Sequence, residues 1–299
     1  MSNPDESSIF GRRITGQTRV VGVIGHPVRH SLSPVIHNAG FRSTGVDFTY
    51  VAFDVAPGAA LAALDALRVL DLAGLSVTMP HKAEVARGVD RLVESARRLD
   101  SVNTVEVEPG GNLCGHSTDG DGLVSSLNHS DVDVRGRTIS VFGSGGAGRS
   151  VIHSLAVHGA AGIHVINRTL AAAQRAAELA DGRAVAHASD DARAVGDAVG
   201  SSDIIINATS IGMGAVVDAS SESGASPFDP GLLSSRQTVV DLVYHPLETP
   251  LLRAASDRGC RIVNGLGMLV HQAALQQVIW TGMRPDVEEM ASAARQALQ

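Results

Sequence analysis

The chain has 299 residues, of which 44% are hydrophobic, 18% are charged and only 3% are aromatic. This length exceeds what one compact core usually holds, so we expect two lobes with aliphatic cores. The net charge of −7 argues against nucleic acid as a partner, because a phosphate backbone is normally bound by a basic surface. No run approaches the roughly 20 apolar residues that span a bilayer, so no membrane association is expected.

Cysteine and histidine usage limits the remaining classes of site. Cys114 and Cys260 are too few for a disulfide framework, and the first residues lack the pattern of a signal peptide, so we expect a cytoplasmic protein. His26, His30 and His37 lie close together in sequence, but no spacing typical of zinc ligands occurs. We therefore expect no metal site.

Short β-branched segments alternate with alanine-rich helical segments along the chain, which predicts an α/β fold. In the first lobe the predicted elements are strands over 20–24, 48–53 and 74–77, and helices over 34–42 and 57–70. Pro57 is placed at the start of its helix, where a missing N–H costs nothing. The polar stretch 128–137 predicts a connection into a second lobe.

The second lobe is expected to form one doubly wound sheet. Its predicted elements are strands over 138–142, 163–166, 183–186, 203–206 and 238–242, and helices over 147–158 and 170–180. The Ser/Gly/Asp-rich stretch 214–224 predicts a surface loop, either a lid or a passive insertion. After a strand over 261–263, Gly265 and Gly267 are expected to bracket a turn into a helix over 268–280. A final helix follows Pro285, and we expect both last helices to pack on the first lobe.

A glycine loop separates the first strand and the first helix of the second lobe. Gly143-Ser-Gly-Gly-Ala-Gly148 satisfies G-x-G-x-x-G in the context that dinucleotide binding requires. Glycine lets the backbone turn tightly and lets a pyrophosphate approach the helix N-terminus. The next strand ends at Asn167-Arg168-Thr169, where an arginine in place of the usual acidic residue can pair with a 2′-phosphate. The cofactor predicted from these residues is NADP rather than NAD.

A phosphate-binding loop of an ATP-using enzyme is the alternative interpretation of the same glycines. Residues 143–150 fit its pattern except that Arg149 replaces the lysine, and Val239-Val240-Asp241 could imitate a magnesium-binding strand end. A planar guanidinium is not equivalent to the compact lysine ammonium, which disfavours this interpretation. A dinucleotide-binding sensor without catalysis is a further alternative.

Polar residues of the first lobe predict a second functional cluster. Ser31 and Ser33 precede a helix that Pro34 can open, and Ser33 alone could cap that helix. Thr78 and Lys82 follow a buried strand, at the strand end where ligands collect in open α/β sheets. Asn103-Thr104 is expected within another short strand, and Asp119 follows shortly afterwards. Hydroxyl, amide, amine and carboxylate groups together suit a polyhydroxylated acid.

The chain resembles the shikimate dehydrogenase family from Val23 to about Gln276. The matching segments are Ser-Leu-Ser-Pro at 31–34, Val-Thr-Met-Pro-His-Lys at 77–82, Val-Asn-Thr at 102–104, Thr-Asp-Gly at 118–120, the glycine loop, Asn-Arg-Thr at 167–169, Asn-Ala-Thr-Ser-Ile-Gly-Met at 207–213, Asp-Leu-Val-Tyr-His-Pro-Leu-Glu-Thr-Pro at 241–250 and Asn-Gly-Leu-Gly-Met-Leu-Val-His-Gln-Ala-Ala at 264–274.

The resemblance implies a role for each matching position. It makes Lys82 and Asp119 the catalytic pair. The implied substrate contacts are Ser31, Ser33, Thr78, Asn103, Tyr244 and Gln272. The implied NADP contacts are Gly143, Ser144, Gly145, Gly146, Ala147, Asn167, Arg168, Thr169, Leu242 and Gly265.

The resemblance also implies an architecture and a reaction. Residues 1–122 would form the first part of an α/β substrate domain, 123–263 a Rossmann-type NADP-binding domain, and 264–299 the C-terminal helices that complete the discontinuous substrate domain. The expected reaction is the reversible oxidation of shikimate by NADP in chorismate and aromatic amino-acid biosynthesis, by a monomer or homodimer. Quinate and aminoshikimate are the alternative substrates.

Several positions depart from the family pattern. Ser76 and Ser117 stand where the family usually has asparagine, and Asp100-Ser101 replaces a more typical Gly-Ala. A second arginine found in some members after Asn-Arg-Thr is absent at Ala172. Fine substrate preference and the strictness of NADP selection are therefore the properties expected to vary.

Overall fold

A computed structural model describes residues 8–9, 12–214 and 226–299. The loop predicted over 214–224 therefore lies, apart from Gly214, outside the described residues. Near the start of the chain, β1 (Ser8–Ile9) and β2 (Arg12–Arg13) pair antiparallel. The other described strands form two six-stranded sheets flanked by helices. This arrangement confirms the predicted α/β fold.

The first sheet carries the predicted polar cluster. Its strands are β3 (Arg19–Gly25), β4 (Phe48–Asp54), β5 (Gly74–Val77), β6 (Arg91–Leu92), β7 (Thr104–Val107) and β8 (Leu113–His116), in the spatial order β4-β3-β5-β7-β8-β6. β3 pairs parallel with β4 and β5, whereas β7 pairs antiparallel with β5 and β8. The helices of this lobe are α1 (Ser33–Thr44), α2 (Ala60–Val69), α3 (Lys82–Gly88) and α4 (Glu94–Leu99). β3 and β5 are almost fully buried, as expected for central strands covered on both faces.

Helix α5 (Asp119–His129) connects the first sheet to the second. The strands of the second sheet are β9 (Thr138–Phe142), β10 (Gly162–Asn167), β11 (Ala184–Ala188), β12 (Ile204–Asn207), β13 (Thr238–Asp241) and β14 (Arg261–Val263). Its helices are α6 (Gly146–Val157), α7 (Leu170–Ala177), α8 (Ala192–Ser201) and α9 (Pro250–Asp257), with 3₁₀ turns at Glu178–Ala180 and Pro230–Leu232.

All neighbouring strands of the second sheet are parallel, in the order β11-β10-β9-β12-β13-β14. The chain builds outward from β9 to β11 and then returns to the other side of β9 through β12. Such a reversal opens a crevice at the carboxyl ends of the two central strands, where open α/β sheets bind their ligands. The predicted doubly wound sheet is confirmed, with its crevice directly after β9 and β12.

Two C-terminal helices return to the first lobe. Helix α10 (Gly265–Thr281) packs on α5 and α1, and α11 (Val287–Ala297) packs on α1. This packing confirms the predicted return of the last helices. The expected division at residue 122 falls inside α5, which is one continuous helix.

Several sequence-based boundaries were wrong. Pro57 lies in a turn, and α2 begins only at Ala60. Gly265 and Gly267 belong to the first turn of α10, because Asn264 accepts a hydrogen bond from the N–H of Leu266 and starts the helix three residues earlier than expected. Asn103 precedes β7 rather than lying within it.

Some helices were not predicted at all. Helices α8 and α9 are each preceded by an N-cap residue, Asp191 and Thr249, whose side chains accept hydrogen bonds from N–H groups of the first turn. The helix predicted over 170–180 ends at Ala177, and a 3₁₀ turn follows it.

Close packing of α5 against α10 requires glycine at position 122. A Cβ atom added to Gly122 would lie 2.6 Å from the Cβ of Gln272 and 2.7 Å from its backbone nitrogen. The backbone of one helix cannot yield locally, so an added methyl group must push the two helices apart.

We predict that Gly122→Ala lowers the free energy of unfolding by about 1–3 kcal/mol, the usual range for overpacking a close contact. Gly200→Ala is the matched control, because Gly200 is an exposed position of α8 with nothing within 4 Å of an added Cβ. Chemical denaturation should show the loss in the first variant and an unchanged or slightly raised stability in the second. Equal stability of the two variants would contradict the close approach.

Candidate active site

A cavity of about 200 Å³ lies between the two lobes. Both the first-lobe polar cluster and the second lobe contribute to its wall. The predicted residues that line it are Ser33, Thr78, Lys82, Asn103, Asp119, Ala147, Leu242, Tyr244, Gly265 and Gln272. This cavity is therefore lined by residues of both sets that the family resemblance implies, the substrate contacts and the NADP contacts.

Lys82 and Asp119 form an ion pair at this cavity. The Lys82 ammonium donates to Asp119 Oδ2 at 2.5 Å, and the two side chains are 23% and 14% exposed. Lys82 is the first residue of α3 and Asp119 the first residue of α5, so each side chain extends from a helix start. Such partial burial screens the charges less than bulk water does and leaves the ammonium accessible from the cavity.

Asn103 holds the other oxygen of the same carboxylate. Its Nδ2 donates to Asp119 Oδ1 at 2.7 Å and to Thr118 Oγ1 at 2.9 Å. Its Oδ1 accepts from the Thr118 N–H at 2.9 Å and from Thr104 Oγ1 at 2.8 Å. Because both ends of this buried amide are engaged, Asn103 orients Asp119 toward Lys82.

The two serines at the start of α1 have different environments. The Ser31 hydroxyl oxygen accepts from the Ser33 N–H at 3.2 Å, while the Ser33 side chain lines the cavity. The helix begins at Ser33 and Leu32 occupies the position before it, so the alternative interpretation of Ser33 as an N-cap was wrong. Among the described residues that line the cavity, Ser31 does not occur.

Tyr244 and Gln272 approach the cavity from the second lobe and from α10. Burial raises the pKa of the Tyr244 phenol above its ordinary value, which keeps the hydroxyl protonated at neutral pH. Gln272 Nε2 donates to Leu269 O at 2.7 Å, so its Oε1 is the end of the amide that this bond leaves open.

Several residues of the wall were not among the predicted contacts. Ser76, noted in the sequence only as a departure from the family pattern, lines the cavity, as do Met268, Leu269 and Gln276, which sequence analysis did not indicate. Gln272 and Gln276 are four residues apart on α10, and this spacing places both on one helix face. That periodicity was the available signal for Gln276, but the position of the cavity was needed to interpret it.

The glycine loop has the geometry that close backbone approach requires. Gly143 has φ +101°, and a Cβ atom added to Gly148 would lie 2.1 Å from Gly143 O. Helix α6 therefore begins directly against the end of β9, and no described side chain caps its first turn. Free N–H groups at a helix start favour an anion such as a pyrophosphate.

A second cavity, of about 360 Å³, lies on the far side of the glycine loop. Gly143, Asn167, Arg168 and Thr169 line it, as do Ser189 and the segment 209–211, to which sequence analysis gave no role. Ser144, Gly145 and Gly146 connect Gly143, at this cavity, to Ala147, at the first. The loop thus joins the two cavities, which suits a ligand as long as a dinucleotide.

The ATP-using alternative is not supported by the side chains it needs. Arg149 Nη2 donates to the backbone oxygen of Leu99 at 3.0 Å, away from the glycine loop. Asp241 is buried and its carboxylate accepts from Thr249 Oγ1, Asn207 Nδ2 and the Val243 N–H at 2.7–3.0 Å. Burial raises the pKa of this carboxyl above its ordinary value, and its bonds hold the loop after β13 rather than a magnesium ion.

One group of potential metal ligands occurs in the part of the chain that the structure describes. Glu106, Cys114 and His116 lie on one face of the β7–β8 pair, with their donor atoms within 4.8 Å of one another. Glu106 Oε2 already lies 2.9 Å from His116 Nε2, so these two groups satisfy each other. The group lies outside both cavities.

A glycine turn on the doubly wound sheet of one lobe, joined to a Lys/Asp cleft in the other lobe, is the architecture of a two-domain, dinucleotide-dependent dehydrogenase. Three sequence families match the chain. They are the shikimate dehydrogenase substrate binding domain over residues 23–105, shikimate / quinate 5-dehydrogenase over 126–227 and the shikimate 5'-dehydrogenase C-terminal domain over 265–295. The chain belongs to the shikimate dehydrogenase family.

Individual members of this family are similar to the chain over nearly its whole length. A shikimate dehydrogenase (NADP⁺) of Symbiobacterium thermophilum is 41% identical over 292 residues, which cover 95% of this chain and 96% of the relative. The crystal structure of the Thermus thermophilus enzyme with NADP(H) and shikimate is 35% identical, with a TM-score of 0.81 over 94% of this chain and 100% of that one. The Listeria monocytogenes enzyme, solved with shikimate and NAD, is 31% identical, with a TM-score of 0.86 over 94% and 98%.

No helix among the described residues combines the length and the apolar character needed to cross a bilayer.

We predict that Gly148→Ala lowers stability by about 1–3 kcal/mol and abolishes measurable NADPH binding, because the added methyl group displaces the loop. Gly146→Ala is the matched variant, since nothing lies within 4 Å of its added Cβ. It should melt as the wild type does and bind NADPH more weakly, because its methyl group occupies space that a pyrophosphate would use. Thermal melting and NADPH fluorescence check both expectations, and unaltered melting and binding in Gly148→Ala would refute the contact.

Proposed function

We propose that this chain catalyses the reversible conversion of shikimate and NADP to 3-dehydroshikimate and NADPH, a step toward chorismate and the aromatic amino acids. One observation carries the proposal. The Lys82–Asp119 pair and three second-lobe or α10 positions, Ala147, Leu242 and Gly265, line the same cavity. A proton-transferring group and a nucleotide-binding loop therefore meet where a substrate carbon would lie.

The residues around the glycine loop fit the proposed cofactor. Gly143 and Gly148 give the close backbone turn, and Arg168 offers a cation at the end of β10, where a 2′-phosphate would lie. NADP when bound supplies the hydride acceptor, and NADPH the hydride donor. Every other requirement of the reaction falls to the protein.

Lys82 is the proposed general acid and base. When shikimate is oxidised, a hydroxyl group must lose its proton as the adjacent carbon loses a hydride. We assign that proton to Lys82 Nζ, which lines the cavity and takes the proton in its neutral amine form to become the ammonium. In the reverse direction the ammonium returns the proton to the carbonyl oxygen and stabilises the negative charge developing there. Atoms and charge balance, because the hydride and the proton leave from the two ends of one H–C–O–H unit.

Asp119 has two proposed roles. Its Oδ2 orients Lys82, and Asn103 keeps that carboxylate in place through Oδ1. The lone pairs that these bonds leave on the carboxylate can accept a hydrogen bond from a substrate hydroxyl. The same carboxylate thereby aligns the acid–base group and the substrate.

We propose that the remaining polar residues recognise the substrate. The hydroxyls of Ser31 and Ser33 are assigned to its carboxylate, because Ser31 accepts from a backbone N–H and keeps its own hydrogen for donation. Further contacts are assigned to Thr78, Tyr244 and Gln272. Asn103 also lines the cavity, but its amide is fully engaged by Thr104, Thr118 and Asp119, so we assign it to holding Asp119 rather than to a direct substrate contact. The hydroxyl and amide groups of this set suit a polyhydroxylated ring.

Each domain is assigned one ligand, and the protein a cellular compartment. We assign substrate binding to residues 1–122 and 264–299 and NADP binding to 123–263, with α5 as the shared element. We also propose a cytoplasmic location, which the two free cysteines, Cys114 and Cys260, support.

We predict that Lys82→Ala lowers turnover by roughly two to four orders of magnitude while NADPH still binds, because general acid–base catalysis is lost and the nucleotide site is untouched. Arg87→Ala is the control, since Arg87 is an exposed residue of the same helix that does not line the cavity. Steady-state absorbance at the nicotinamide band and NADPH fluorescence measure the two properties. Turnover near that of the wild type in Lys82→Ala would rule out the assigned role.

We predict that Arg168→Ala raises KM for NADP by roughly 10- to 100-fold and leaves KM for NAD unchanged, the range expected when a hydrogen bond to a charged group is lost. Arg193→Ala, at an exposed position of α8, controls for the loss of one positive charge. An equal rise of KM for both cofactors would mean that Arg168 does not contact the 2′-phosphate.

A further inference from the structure

A chain of buried hydrogen bonds runs behind one wall of the catalytic cavity. Tyr50 OH lies 2.6 Å from Ser76 Oγ, and Ser76 Oγ lies 2.6 Å from Gln276 Oε1. Gln276 Nε2 in turn lies 3.2 Å from the backbone oxygen of Asn103. Tyr50, Ser76 and Gln276 are 2%, 6% and 2% exposed, so water does not compete for these bonds. Ser76 and Gln276 line the cavity together with Lys82.

The direction of every bond in this chain is fixed from one end. The backbone oxygen of Asn103 can only accept, so the amide nitrogen of Gln276 must face it. Gln276 Oε1 then faces Ser76 and can also only accept, so Ser76 must donate its single hydrogen there. With that hydrogen used, the remaining bond to Ser76 requires Tyr50 to donate. Burial raises the pKa of the Tyr50 phenol, which keeps this donor protonated.

The fixed direction limits what Ser76 can offer to a ligand. A hydroxyl oxygen has one hydrogen and two lone pairs. Gln276 takes the hydrogen and Tyr50 takes one lone pair, which leaves one lone pair at the cavity. Ser76 can therefore accept a hydrogen bond from a ligand but cannot donate one, whereas an unrestrained serine could rotate and do either.

Given the proposed function, we propose that Gln276 is a specificity-determining residue that acts through Ser76. By taking the hydrogen of Ser76, it makes this part of the wall an acceptor that selects a hydroxyl group on the substrate ring. A ring that carries a fluorine or a carbonyl oxygen at the facing position meets a lone pair and is rejected. Tyr50 supports the serine oxygen but does not set its polarity, because Ser76 donates to Gln276 whether or not Tyr50 is present.

The experiment compares three proteins with three substrates. The proteins are the wild type, Gln276→Met and Tyr50→Phe; methionine has a similar length but offers no comparable acceptor to Ser76. The substrates are shikimate and its two analogues in which one non-reacting hydroxyl is replaced by fluorine. The quantity measured is the fluorine penalty, defined as kcat/KM for shikimate divided by kcat/KM for the analogue.

We expect a penalty of roughly 10- to 100-fold for one analogue on the wild type, because that analogue leaves a buried acceptor unsatisfied. In Gln276→Met the penalty for the same analogue should fall at least fivefold, since Ser76 is then free to turn its hydrogen toward the ligand. In Tyr50→Phe kcat/KM should fall for all three substrates while the penalty persists. The penalty for the other analogue should not change among the three proteins.

A purely structural role for Gln276 gives a different result. If Gln276 only supports the fold, Gln276→Met lowers kcat/KM for all three substrates by the same factor and leaves the fluorine penalty unchanged. That result would overturn the inference. A wild-type enzyme that shows no fluorine penalty for either analogue would overturn it as well. If Gln276→Met melts below the assay temperature, Gln276→Ala replaces it, because a smaller side chain cannot clash and removes the same acceptor. Failure of the wild type to oxidise shikimate would instead refute the proposed function on which this inference depends.

Discussion

The arrangement of the site depends on the first turn of α5. Asp119 begins that helix and its carboxylate contacts Lys82 at 2.5 Å and Asn103 at 2.7 Å, so side chains from three separate segments meet at one group. The same turn is bonded to the second lobe, because the Gly120 N–H donates to Ser150 Oγ of α6 at 2.9 Å. Ser154 of α6 donates to the carboxylate of Asp121 as well. The helix that follows the glycine loop therefore has a defined position relative to the Lys82–Asp119 pair.

Glycine at alternate positions makes this arrangement possible. A Cβ atom on Gly120 would lie 2.2 Å from Ser150 O of α6. A Cβ atom on Gly122 would lie 2.7 Å from the backbone nitrogen of Gln272 in α10. Helix α5 thus fits between α6, which carries the glycine loop, and α10, which carries Gln272. The Asp-Gly-Asp-Gly segment combines polar contacts with close helix approach, and both are needed to bring the residues proposed to bind NADP and substrate into one cavity.

The sequence was most informative where a residue type has a single physical use. Glycine at 143 and 148 predicted the tight turn, because other residues fit that backbone poorly, and the alternation of strands and helices predicted the doubly wound sheet. Lys82, Asp119 and Asn103 were grouped from their polar side chains near predicted strand ends, the family resemblance implied their roles, and the structure places them in contact. Local signals were weaker, since Pro57 also suits the turn where it lies and Asn264 was overlooked as a cap.

Residues whose roles arise from tertiary contacts could not be predicted in this way. Tyr50, Ser76 and Gln276 come from β4, β5 and α10, and nothing in their local sequence indicates that they share a hydrogen-bonded chain. Ser31 and Ser33 looked equivalent in sequence, yet one accepts from the backbone while the other lines the cavity. Burial and direction, rather than residue type, decide what these polar groups do.

In this enzyme family member, one cavity brings NADP and a polyhydroxylated acid together for hydride transfer. The most direct measurement is the initial rate of absorbance change at the nicotinamide band, with shikimate and quinate each paired with NADP and NAD. We expect shikimate with NADP to give the highest kcat/KM of the four pairs. No absorbance change with any pair, or a higher kcat/KM for quinate with NAD, would contradict it.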